Sequence, residues 1–254
     1  MGKINTFSFH LFVVVIFFGC KNDPFLDTSR DTYHDSICDI AVLNGQFYST
    51  NYDLSTHAGS QIDLFRFSTQ DSIIVLTDRY ELGLNGQGYL AMTSDMEKLY
   101  LQSNQTDLIL AISAVGEEIF LTADTVGSVW HPSGIAYLAD SDSLALLYRN
   151  GQFPQRYRLR VVSKLINPSA SRDVEFEYTF MDSGDYGLYA MTYQDSQFYF
   201  LGVDQAQQDV LLTTGWGFTP VSVETIPDST VTGLCFKEDD LYFSYGNRSI
   251  KKVN

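Results

Sequence analysis

Gly187-Leu188-Tyr189-Ala190-Met191-Thr192-Tyr193-Gln194-Asp195-Ser196-Gln197-Phe198-Tyr199-Phe200-Leu201 reads as two short β-strands joined by a turn. Both arms are rich in Tyr, Phe, Leu and Met, and the polar Gln194-Asp195-Ser196 between them is turn chemistry. Phe198-Tyr199, an apolar residue followed by Tyr, opens the second arm. The same pair recurs at Phe47-Tyr48, Leu99-Tyr100 and Leu241-Tyr242, and Leu144-Ala145 takes its place in one further unit. Successive anchors are 52, 45, 54 and 43 residues apart, and self-similarity at such a period marks a repeat architecture.

Each anchor is preceded by a short strand, and four of these open on glycine. They are Gly88-Tyr89-Leu90-Ala91, Gly134-Ile135-Ala136-Tyr137, Gly187-Leu188-Tyr189-Ala190 and Gly233-Leu234-Cys235-Phe236, with Asp39-Ile40-Ala41-Val42 in the first unit. Third strands are expected at 62–67, 108–112 and 157–162, and fourth strands at 73–76, 118–121, 174–180 and 221–226. Period-2 alternation between turn signals is the reason. Four strands per unit, five times over, account for the chain after its N-terminal segment. That pattern predicts an all-β chain, a β-propeller of five four-stranded blades, with the glycines at equivalent crowded positions near the axis. In period and in its strand–turn–strand opening it resembles propeller repeats of the NHL and WD-repeat kind. The alternatives are six blades or a β-sandwich. The fifth unit reaches Asn254 after three strands, so its outer strand would have to come from residues 25–36.

The first residues, MGKINTFSFHLFVVVIFFGC, place one cation before an apolar run from Phe7 to Phe18. Such a run covers about 18 Å as a helix, short of the ~30 Å hydrocarbon core, and has the proportions of a secretory signal. Gly19-Cys20 resembles a bacterial lipobox, with Phe17 and Phe18 bulkier than the usual pattern. The resemblance implies a signal peptide over 1–19 and a lipidated Cys20 beginning a polar tether over 20–36, and the repeats then make 37–254 the propeller domain. It also implies attachment to the membrane through lipid, and Lys21-Asn22-Asp23 resembles the export tag of Bacteroidota surface lipoproteins. The expected location is the outer membrane, facing the periplasm or the cell surface.

Thirty-one acidic against 16 basic residues give a net charge of −15, which argues against nucleic acid, whose phosphates call for Lys and Arg. Of the three cysteines, Cys38 and Cys235 remain after Cys20. Aligning Asp39 with Gly233 sets them an odd number of positions apart, on opposite faces of their strands, so no disulfide is expected.

Catalytic signatures are sparse: there is no His-Glu-x-x-His, Cys-x-x-Cys, Gly-x-Ser-x-Gly or Walker loop in the chain. Gly86-Gln87-Gly88-Tyr89-Leu90-Ala91 fits Gly-x-Gly-x-x-Ala but opens a strand rather than a helix, so it reads as a turn. Asp140-Ser141-Asp142 resembles part of a calcium loop and reads as a hairpin turn. No cofactor is expected.

In a propeller, the segments leading into the innermost strands emerge on one face with the loops between second and third strands. That rule gathers a candidate binding face from Asp35, Asn85, Gln87, Trp130, His131, Asp185, Tyr186, Asp228 and Asn247. Amides, carboxylates and rings in this mixture suit a glycan or peptide. The leading expectation is a non-catalytic binding or scaffold module for a protein or glycan partner. The alternative is a propeller hydrolase, lactonase-like or glycan-cleaving, with a carboxylate or metal site at the channel mouth.

Overall fold

The computed structural model describes residues 35–53, 63–70, 73–81, 89–103, 108–113, 116–121, 130–150, 156–164, 170–181, 187–227, 231–246 and 249–253. Blade 1 comprises β1 (Asp35–Leu43), β2 (Gln46–Asp53), β3 (Asp63–Gln70) and β4 (Ile73–Glu81). Blade 2 holds β5 (Tyr89–Ser94), β6 (Lys98–Ser103), β7 (Leu108–Ser113) and β8 (Gly116–Leu121). Blade 3 is β9 (Trp130–Leu138), β10 (Ser143–Asn150), β11 (Arg156–Ser163) and β12 (Ala170–Glu177). In blade 4 stand β13 (Leu188–Gln194), β14 (Gln197–Val203), β15 (Asp209–Thr214) and β16 (Pro220–Thr225). Blade 5 has β17 (Val231–Lys237), β18 (Asp240–Tyr245) and β19 (Ser249–Lys252).

Every sheet is an antiparallel meander in sequence order. The innermost strands touch in the circuit β1, β5, β9, β13, β17 and back to β1, which closes a five-bladed propeller. Blade 5 shows three strands among the described residues. Of the stretch 25–36 expected to complete it, Asp35 and Ser36 open β1 and the remainder lies outside those residues.

The core lies between blades. Leu188, Met191, Phe198 and Phe200 of blade 4 pack on Ala145, Leu147, Tyr157 and Leu159 of blade 3. The ring-closing interface sets Cys235 and Ile250 of blade 5 against Ile37, Ile40, Phe47 and Phe65 of blade 1. Each blade thus buries both faces, which is why its strands demand so many aromatic and branched side chains.

The anchors are equivalent in the structure. Phe47 pairs with Val42, Leu99 with Ser94, Leu144 with Tyr137, Phe198 with Tyr193 and Leu241 with Phe236. Each innermost strand also carries a register shift against its partner in the same place, between Ile37 and Ile40, Tyr89 and Ala91, Pro132 and Gly134, Leu188 and Ala190, and Val231 and Gly233. Three residues before each anchor-paired residue stand Asp39, Ala91, Gly134, Ala190 and Gly233.

Two expectations need correcting here. The four glycines are not equivalent: Gly134 and Gly233 share the position, Ala190 fills it in blade 4 with Gly187 three residues earlier, and Ala91 fills it in blade 2. Gly88 lies outside the described residues. Four blades fill the position with glycine or alanine, and the first fills it with Asp39, whose carboxyl uses the space that Gly233 leaves open. β12 runs from Ala170 to Glu177, ahead of the expected 174–180. Its register sets Asp173 opposite Arg160 and Glu175 opposite Arg158, so charge pairing on the strand's polar side fixes its place.

The hairpin turns follow their residues. Asn44 and Gly45 have φ of 51° and 73°, and Asp195 and Ser196 have 51° and 62°, the left-handed pair of a two-residue turn whose twist matches its strands.

Candidate functional site

Asp39 is the one ionisable residue among the five equivalent innermost positions, and it is 1% exposed. Its Oδ1 accepts from the N–H of Ile40 at 2.9 Å and of Leu234 at 3.1 Å, and its Oδ2 from the N–H of Met92 at 3.1 Å. Ile40, Met92 and Leu234 occupy the same register position in blades 1, 2 and 5. One carboxyl group therefore ties three innermost strands together where the ring closes. Burial pushes this carboxyl up to about 8, against the three N–H bonds, which favour the anion.

On the hairpin side of Asp39 the channel opens into a cavity of about 120 Å³. Ile40, Met92 and Leu234 line it, and so do Tyr137, Tyr193 and Phe236, three rings at one register level on blades 3, 4 and 5. Thr93, Ser94 and Thr192 add hydroxyls to the wall.

Polar contacts hold this rim. Tyr193 donates its hydroxyl to Asp140 at 2.6 Å, and Tyr137 donates to Asp142 at 2.8 Å. The Lys164 ammonium lies 2.7 Å from Asp95 and 2.5 Å from Asp142, joining the hairpin turns of blades 2 and 3. Burial pushes the Asp95 carboxyl up, but Lys164, the N–H groups of Glu97 and Lys98 and the Tyr100 hydroxyl outweigh it and hold it below its ordinary value.

The opposite end of the channel is where the sequence placed its binding face. Asp35 is the first residue of β1 and Trp130 the first of β9, so both stand at that end. Trp130 packs against the core between blades 2 and 3, with the Arg158 guanidinium 4.4 Å from its ring centre. Its ring is engaged within the protein, while His131 beside it is exposed. Asn85, Gln87, Asp185, Tyr186, Asp228, Asn247 and the proposed lipid site Cys20 lie outside the described residues. Among the described residues no group of three or more His, Cys, Asp and Glu side chains is placed to hold a metal ion.

Sequence reasoning missed Asp39 as an axial group and the rim of Tyr137, Tyr193 and Phe236. The signal was present: Asp39 stands in strand register where the other units have Gly or Ala. It also missed Gln102, 2% exposed, whose side-chain amide finds no hydrogen-bonding partner among the described residues.

No protein-family model matches the chain, and no curated protein matches its sequence. Solved structures do. An exo-β-1,3-galactanase from Phanerochaete chrysosporium, solved with β-1,3-galactotriose, superimposes with a TM-score of 0.59 at 10% identity, over 90% of this chain and 62% of that one. Glutaminyl cyclase from Myxococcus xanthus gives 0.55 at 14% identity, over 87% of this chain and 93% of that one. A GH43_1 enzyme from Xanthomonas citri gives 0.51 at 13%, over 87% of each chain. What they share with this chain is the fold.

Proposed function

We propose that this chain is an exported propeller, tethered to the outer membrane by lipid at Cys20, that recognises a ligand at the mouth of its central channel. The observation that carries this reading is the axial cavity with Tyr137, Tyr193 and Phe236 on its wall. Rings around a concave, partly polar opening are the usual makings of a binding site. The test is a panel of oligosaccharides and short peptides titrated into the full-length protein, with binding followed by calorimetry. Saturable binding that weakens in Phe236→Leu supports the reading, and no binding across the panel overturns it.

A second reading, a glycan-cleaving hydrolase, is favoured by the comparisons over a purely passive scaffold. The solved propellers similar to this chain include a galactanase and a GH43_1 enzyme. Cleavage of a glycosidic bond needs two carboxyl groups roughly 5–9 Å apart. The carboxylate at the axis is enclosed by backbone N–H groups, so the pair would come from the candidate face read in the sequence, which includes Asp35, Asp185 and Asp228. Chromatography of oligosaccharides incubated with the protein tests it: shortened products lost in Asp35→Asn or Asp185→Asn support cleavage, and an unchanged panel refutes it.

A further inference from the structure

We infer that the hairpin end of the channel takes an organic cation, the ammonium or guanidinium of a basic side chain presented by a partner protein. This rests on the recognition reading above and specifies its ligand.

Size is the first argument. Pockets for drug-sized ligands run from roughly 300 to 1,000 Å³, and this cavity of about 120 Å³ admits one side-chain-sized group. The second argument is the wall. Tyr137, Tyr193 and Phe236 each sit opposite an anchor residue, so three blades bring rings to one level. The negative faces of aromatic rings attract cations. The protein's own Lys164 already uses the Tyr137 ring in this way, its ammonium 5.0 Å from the ring centre, so an incoming cation is left Tyr193 and Phe236.

The third argument is the field at the mouth. The five hairpin turns at this end, 44–45, 95–97, 139–142, 195–196 and 238–239, hold Asp95, Glu97, Asp140, Asp142, Asp195, Glu238 and Asp239, and no Lys or Arg. The cations flanking them are Lys98, Lys164, Lys237 and Lys252, the last paired with Asp240 beside the blade 5 turn. Lys164 is shared between Asp95 and Asp142, and Lys237 lies over the Phe47 ring. Acidic residues remain in excess around a narrow opening with low-dielectric walls, a geometry that concentrates cations and repels anions. A neutral sugar would gain stacking and nothing from this field.

The experiment titrates the full-length protein with tri-lysine, tri-glutamate and β-1,3-galactotriose at low and high salt. Tri-lysine should bind, about tenfold more weakly at high salt because exposed charges are screened, while the other two should not compete with it. The triple variant Asp195→Asn, Glu238→Gln, Asp239→Asn removes charge at exposed turn positions and should weaken tri-lysine several-fold with its melting temperature unchanged. Phe236→Leu should weaken it as well. If galactotriose binds instead, without salt dependence, recognition stands and the cation inference falls. Binding lost in the charge variant but unaffected by Phe236→Leu places the peptide on the outer surface and overturns the site. No binding by any probe overturns both readings.

Discussion

A side chain on Gly233 would set its Cβ 2.4 Å from the Cα of Asp39, across the seam between the last blade and the first. The two residues occupy the same register position on neighbouring innermost strands, and the absent side chain of one makes room for the buried carboxylate of the other.

Gly233→Ala should therefore destabilise the whole ring by something on the order of 1–3 kcal/mol, the usual cost of overpacking. Gly134→Ala is the control. Its Cβ would meet the flexible Met191 side chain at 3.2 Å and the Met191 backbone N at 3.3 Å, a closeness that a small shift relieves. Urea denaturation of both variants decides the matter, and equal losses would contradict the special closeness at Gly233.

Asp39→Ala leaves three buried N–H groups without their acceptor, at roughly 1–3 kcal/mol each, so it should unfold at far lower denaturant than Asp39→Asn, which keeps one carbonyl oxygen. Stability should also depend on pH through this group. Its ordinary value is 3.8 and its folded value about 8. Between those limits the folded state keeps a proton that the unfolded state releases, so its contribution falls as pH rises from about 4 to 8 and levels off above. Asp39→Asn should remove that slope. A variant that retains the parent's full pH dependence would refute it.

Cys38 and Cys235 are both free and buried. Burial pushes the Cys38 thiol up to about 12, with Asp39 adding to the rise and a bond to Thr50 opposing it, and burial pushes Cys235 well up too. Neither forms an appreciable thiolate at neutral pH, and the thiolate is the reactive form. A thiol reagent should therefore label neither residue in the folded protein and both after denaturation, with or without reductant. Labelling that requires reductant after denaturation would reveal a disulfide.

Cys20→Ala should leave unprocessed precursor or release soluble protein, as read by membrane fractionation and by mass spectrometry of the N-terminal peptide. A variant that still fractionates as lipid-modified protein would remove the basis for the tether.

The repeat was legible because the anchors carry it. Phe47, Leu99, Leu144, Phe198 and Leu241 lie in one register, and even Leu144-Ala145, which lacks the Tyr, falls into place. The glycines misled because two needs coincide in one residue type. Gly134 and Gly233 answer crowding between strands, whereas Gly187 precedes its strand. β12 was displaced because the alternating run Val174 to Phe180 outlasts the strand that charge pairing sets over Ala170 to Glu177. The candidate site was less legible. Asp39 was visible as an exception, but its meaning depends on amides contributed by strands 53 and 195 residues away. Trp130 at a lead-in position looked like a platform, and only the neighbouring blade shows where its ring is used.

The Asp39 side chain also acts as a clasp on the ring. Its three N–H partners belong to blades 1, 2 and 5, so one side chain fastens the last blade to the first and the first to the second. Leu234 lies 195 residues beyond Asp39, so a chain that adds its blades in order leaves the clasp open until the last of them arrives.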